Sequence, residues 1–121
     1  MKSKYSFEKK EGYLSLTISG EYDKMDFLSY PQLVKDECEK EGTHKVLVNA
    51  LNVTETNPPT MERFFFGEKL ADVLHGKIKF AFVWPEKDIN KFTETVAINR
   101  GGYVWVFGDV ETAKKWLLGT A

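Results

Sequence analysis

Val46-Leu47-Val48-Asn49-Ala50-Leu51 is an apolar run that barely alternates, and Asn52-Val53-Thr54-Glu55-Thr56-Asn57-Pro58-Pro59-Thr60 follows it as a polar loop. A helix-like segment carrying Phe64-Phe65-Phe66 then runs to Leu74. Strands buried on both faces lose the in-out alternation, so the first run is placed centrally in a sheet. A strand, a loop at its C-terminal end and a returning helix make half of a parallel crossover. In open α/β sheets, ligands and partners gather at that end of the strands.

Upstream, Tyr5 to Lys10 reads as a short strand and Glu11-Gly12 as a turn. Tyr13 to Ser19 alternates, with Leu14, Leu16 and Ile18 on one side and Tyr13, Ser15, Thr17 and Ser19 on the other. That is the pattern of a half-buried antiparallel strand. Asp26 to Glu41 reads as a helix with Leu33, Val34 and Cys38 inward and Asp36, Glu37, Glu39 and Glu41 toward water. Because Pro31 is tolerated only in a first turn, its regular part is expected to begin near Ser29 or Tyr30. Gly42 ends it.

Downstream, Asn57 with Pro58, or else Thr60, is expected to cap the helix that follows the loop. Phe66, Leu70, Val73 and Leu74 share its sheet-facing side, leaving Met61, Phe64 and Phe65 toward a neighbouring helix, a partner, a dimer interface or an apolar ligand. Ile78 to Trp84 is a further strand. Asp88 to Arg100 reads as a helix with Ile89, Phe92 and Val96 inward. Tyr103 to Phe107 is an apolar strand, and Asp109 caps a last helix with Val110, Ala113, Trp116 and Leu117 along one stripe. The order β-β-α-β-α-β-α-β-α predicts a mixed sheet of about five strands, a leading hairpin and about four helices, in one domain over residues 1–121.

Composition narrows the function classes. The chain has 17 basic and 18 acidic residues for a formal charge of −1, which argues against a nucleic-acid partner. No apolar run approaches the ~18–20 residues that span a bilayer. One cysteine allows no internal disulfide, and no signal peptide is visible, so a reducing cytoplasm is the expected compartment. His44 and His75 stand far apart in sequence and Cys38 is alone, so no metal site is expected. The loop from Asn52 to Thr60 lacks the glycines of a phosphate cradle. No catalytic constellation and no cofactor signature is visible. Glu62, Glu68 and Glu94 lie on predicted helices, where solvent exposure is the expectation. Asn99-Arg100-Gly101 reads as a helix end in which Gly101 turns left-handed and Arg100 bonds carbonyls or a carboxylate. The same stretch could otherwise meet an anion or a partner.

The element order, together with Val46-Leu47-Val48-Asn49, Pro59-Thr60, Arg63-Phe64, Gly67-Glu68, the stretch Phe92 to Gly101, Val106-Phe107 and Ala113 to Trp116-Leu117, resembles the STAS fold of anti-sigma-factor antagonists. Within it, the chain looks like the small bacterial proteins described as STAS-like or sporulation-stage-II-AA-like. The resemblance implies a non-catalytic regulatory module that binds a protein partner or itself as a homodimer. In such antagonists a serine at the junction after the central strand is phosphorylated, and the added charge breaks the complex. Here that loop holds threonines instead, so Thr60, Thr56 and Thr54 are the candidate phosphoacceptors, in that order. Met61, Phe64 and Phe65 are the candidate partner surface, and Asn99 and Arg100 a candidate anion or structural contact. The same group is compared with the CRAL-TRIO lipid carriers, which makes a carrier or sensor of a small apolar ligand the second expectation.

Overall fold

Strand β3 (Lys45–Thr54) lies at the centre of a five-stranded sheet ordered β1-β2-β3-β4-β5, in a computed structural model that describes residues 2–119. Strands β1 (Ser3–Lys10) and β2 (Tyr13–Glu21) form the antiparallel hairpin, while β2, β3, β4 (Lys79–Val83) and β5 (Val104–Phe107) run parallel. Three parallel steps in one direction need three crossovers of one hand, which puts their helices on one face of the sheet. These are α1 (Lys24–Glu41), α2 (Thr60–Leu74) and α3 (Phe92–Asn99). Helix α4 (Val110–Leu118) lies on the other face.

The three-helix face holds the main core. Leu14, Leu16 and Ile18 of β2, Val46, Val48 and Ala50 of β3, and Phe80 and Phe82 of β4 meet Phe27, Tyr30 and Val34 of α1 and Phe66, Leu70 and Leu74 of α2. Opposite them, Tyr13, Leu47, Ala81 and Val83 meet Ala113 and Leu117 of α4. The run Val46-Leu47-Val48 fails to alternate because both of its sides are covered. Asn49 marks where that regularity stops. Its Oδ1 accepts the Leu51 N–H at 3.0 Å, beside a register shift in which Thr17 and Ser19 face Asn49 and Asn52.

Two helices depart from the sequence reading. Helix α1 begins at Lys24, so Pro31 lies inside it. The Asp23 carboxylate caps the early start by accepting the Asp26 N–H at 3.0 Å. Pro31 denies the Phe27 carbonyl its helical donor, and its burial against the core offsets that loss. Helix α3 is shorter than Asp88 to Arg100. A 3₁₀ turn spans Glu86–Asp88, Ile89 is extended, and Lys91 has φ +65°. The Asn90 side chain accepts the Phe92 N–H at 3.0 Å, an Asx turn that competes with helix.

Helix α3 approaches α2 through a glycine. A Cβ on Gly67 would lie 2.6 Å from the Thr93 carbonyl oxygen, and the Thr93 hydroxyl donates to the Arg63 carbonyl at 3.2 Å. At the start of the chain, the Ser3 N–H and hydroxyl both donate to Asp26 Oδ2, at 2.9 and 2.8 Å, and the hydroxyl also meets Tyr30 Oη. This clasp ties the edge strand β1 to α1. Burial would raise the Asp26 carboxyl, but the Ser3 bonds outweigh it and hold it below the usual carboxylate value. Cys38 is buried on α1, and burial, with Glu37 adding to it, pushes its thiol up to about 11.

Candidate interaction site

The segment between β3 and α2 is fixed from below by side chains. Trp84, just past β4, donates its indole N–H to the Thr56 carbonyl at 2.9 Å. The Thr56 hydroxyl donates to Asp88 Oδ2 at 2.6 Å and is buried. Arg63 reaches back from α2, its Nε donating to the Pro58 carbonyl at 3.2 Å and its Nη2 to Asn57 Oδ1 at 3.0 Å. Burial pulls the Arg63 guanidinium below its usual value, with Asp88 and Tyr22 acting the other way, and an arginine stays cationic through such a shift. Tyr22 donates to Glu62 Oε1 at 3.0 Å. Burial, joined by that bond, pushes its phenol far above the usual value, so the hydroxyl remains a donor.

These bonds correct the expected cap of α2. Asn57 gives its side chain to Arg63, and Thr60 is the first helical residue. The cap position is Pro59, whose carbonyl accepts the Glu62 and Arg63 N–H groups at 3.0 and 3.2 Å, and no side chain caps the helix. Pro59 keeps the residue before it, Pro58, out of the helical region, and Pro59 is itself extended at φ −57° and ψ 153°, so the helix starts past both prolines.

The three candidate threonines are in different positions. Thr56 is buried and bonded to Asp88. Thr54 is exposed at the end of β3, its hydroxyl 3.5 Å from the Gly20 carbonyl. Thr60 is exposed on the first turn of α2. One step further, Met61 is 58% and Phe65 38% exposed, and Lys24 of α1 lies over the Phe65 ring at 5.9 Å. Phe64 is half-buried, edge-on to Phe65 and covered by the Arg100 guanidinium 5.4 Å from its ring centre. Arg100 also pairs with Glu68 at 3.4 Å. The fold therefore joins two candidates that lie far apart in sequence. Asn99 is exposed at the end of α3, and Gly101 beyond it has φ +90°.

Sequence reasoning missed the bonding role of the acids. Glu94, expected in solvent, is 5% exposed, and its Oε2 accepts the Val106 N–H at 2.7 Å and pairs with Lys91 at 3.5 Å. Glu62 and Glu68 are half-buried, taken up by Tyr22 and Arg100. No periodicity within a single helix predicts a bond to a neighbouring strand. Two charges three residues apart, Lys91 and Glu94, were the available signal.

Between α2, α3 and the sheet runs a narrow cleft, lined by Tyr22, Phe66, Phe82, Trp84, Arg63 and Glu94 among others, with a volume of about 30 Å³. A cavity of that size holds about one water. Among the described residues, no group of three or more His, Cys, Asp or Glu could hold a metal ion, and no helix is long and apolar enough to cross a membrane.

Compared with solved structures, the chain is similar to an anti-sigma factor antagonist from Mycobacterium paratuberculosis. The match has a TM-score of 0.61 over 95% of this chain and 93% of that one, at 13% sequence identity. The fold is STAS-like. No family model and no curated protein matches the sequence. In this STAS-like frame, the loop and the first turns of α2 lie at the C-terminal end of the central strand.

Proposed function

We propose that this protein is a non-catalytic regulatory module that works by binding another protein. Its working surface is the loop from Thr54 to Pro59 together with Thr60, Met61 and Phe65 on α2, with Phe64 and Arg100 as its floor. The observation that carries this reading is an exposed apolar pair, Met61 and Phe65, beside a loop held in one shape by Trp84, Arg63 and Asp88. A fixed loop binds without a large ordering cost, and exposed apolar side chains supply the anchor. The STAS-like fold supports the regulatory half of the reading.

The threonines sort under this proposal. Thr60 and Thr54 offer exposed hydroxyls to a kinase, whereas modification of Thr56 requires the Asp88 bond to open first. A phosphate on Thr60 adds about two negative charges next to the apolar pair, which would repel a partner seated there. The polar groups of the cleft are committed to the protein itself, which supports a binding role over a catalytic one. A carrier of apolar ligands draws support from the aromatic lining of the cleft, but that cleft, at about 30 Å³, has no room for an acyl chain, and the roomier open groove between the loop and Pro85 to Asp88 is lined mostly by polar residues.

The test is a Phe65→Asp variant. Its far-UV circular dichroism should match the wild type, because the ring is part-exposed. Association with a partner or a second copy, read by sedimentation and by affinity capture with wild type as reference, should be lost. Undiminished association by a folded Phe65→Asp protein would remove this face from consideration.

A further inference from the structure

At the β5 edge of the sheet, side chains take the outward backbone groups of Val106. The Phe80 N–H bonds to the Tyr103 carbonyl and the Trp84 N–H to the Phe107 carbonyl, both at 2.9 Å. In a parallel ladder this alternation turns the backbone groups of Val104 and Val106 away from β4, toward the open side. At Val106 both groups are taken. Glu94 Oε2 accepts its N–H at 2.7 Å, and Lys91 Nζ donates to its carbonyl at 3.3 Å. The carboxylate occupies the place of a peptide carbonyl and the ammonium that of a peptide N–H. The two side chains also pair with each other at 3.5 Å, and the Lys91 ammonium lies over the Trp105 ring at 5.5 Å. Lys91 holds this pose from a left-handed backbone, φ +65°, which few lysines adopt.

We infer that Lys91 and Glu94 stand in for a sixth strand at the β5 edge, and that the strand they exclude is β5 of a second copy of this chain. The residues of β5 choose that occupant. Placed antiparallel to itself about a twofold axis through Trp105, β5 sets Val106 opposite Val104, and those two exchange both hydrogen bonds. Trp105 then meets Trp105, and Tyr103 meets Phe107, all on one face. Tyr103 is 49% and Trp105 41% exposed, so the aromatic pairs have surface to bury. From Tyr103 to Phe107 no residue is charged, so no like charges face each other. The opposite edge is guarded differently. Strand β1 carries Lys4, Glu8, Lys9 and Lys10, and lysine on an edge repels a second copy without any plug. The apolar edge is the one that received a plug.

The experiment uses the full chain with Glu94→Ala, which removes the acceptor, and separately Lys91→Gly, which removes the donor at a surface position whose positive φ suits glycine. Sedimentation velocity over a concentration series should give each folded variant twice the wild-type mass, Glu94→Ala at the lower concentration. The Val106 amide of Glu94→Ala should exchange at least about tenfold faster than wild type when dilute, and regain protection when concentrated. Adding Trp105→Lys should restore the wild-type mass. If Glu94→Ala does not fold, Lys91→Gly decides by mass alone. Folded variants that keep the wild-type mass up to millimolar concentration would overturn the inference. So would a doubling insensitive to Trp105→Lys, or growth past twofold, which would indicate β5 of one copy joining β1 of the next in an open array.

Discussion

On one face of the sheet, α1, α2 and α3 cover residues from β2 to β5. On the other, α4 covers Tyr13 at the start of β2, Leu47, Ala81, Val83 and their neighbours. The remaining half of that second face, over β1 and β2, carries Ser6, Ser15, Thr17 and Ser19, with Ser6 opposite Thr17 and Ser15 opposite Leu47. The difference teaches where the fold keeps its stability. Three crossovers of one hand concentrate burial on one side, while the second side needs only enough apolar surface to seat one helix. A strand segment serving both sides must be apolar on both, like Val46-Leu47-Val48 of β3, whereas one with a bare side alternates, like Leu14 to Ser19 of β2.

Substitutions can break that contrast. Leu70→Ala, in the three-helix core, should destabilise by about 2–5 kcal/mol, because Leu70 is fully enclosed and the site has little freedom to collapse. Leu117→Ala, equally buried under α4, should cost about 2 kcal/mol, near the low end of the same range, since a single helix on an open face can settle inward. Urea midpoints of the two variants, measured side by side, check the ordering, and equal losses would erase the distinction between the faces.

The covered face reaches the edge strand β1 partly through the polar clasp of Ser3 on Asp26. Both Ser3 donors share Asp26 Oδ2, so Asp26→Asn can keep an acceptor for them but removes the charge that strengthens both bonds, and should cost about 1–3 kcal/mol at neutral pH. The pH dependence follows from the lowered carboxyl. Asp26 contributes its full stabilisation above the unfolded-state value of about 3.9 and loses it as pH falls through the lower folded-state value. The difference between wild type and Asp26→Asn should therefore shrink under acid, and urea midpoints from about pH 6 down to pH 2 would reveal it. A constant difference would mean the clasp does not depend on ionisation. Thr17→Val, on the bare half, should change stability by no more than about 0.5 kcal/mol.

Much of this architecture could be read from residue order. The non-alternating Val46-Leu47-Val48 placed β3 at the centre, and the alternation of Leu14, Leu16 and Ile18 gave β2 one buried side. The N-cap at Asp109, where the carboxylate accepts the Thr112 N–H at 2.8 Å, was legible from its type and place. What the sequence concealed depends on tertiary contact. Pro31 reads as a helix start until the capped turn before it and its own burial are known. Glu94 reads as solvated until β5 comes alongside. At the candidate site, local pattern set Met61, Phe64 and Phe65 off the sheet-facing side of α2, and the structure leaves Met61 and Phe65 exposed. The pattern could not foresee that Arg100 would cross to Phe64, or that Thr56 would be sequestered by Asp88.

Cys38 gives the molecule its own clock. It is the only thiol in the chain, it is buried on the core-facing side of α1, and at neutral pH it is almost wholly protonated. A thiol reagent can therefore modify it only during the moments when α1 lifts from the sheet. With reagent in excess the labelling rate counts those openings, and with reagent scarce it reports the fraction of molecules that are open. One native side chain thus allows the breathing of the three-helix layer to be timed without any engineered probe.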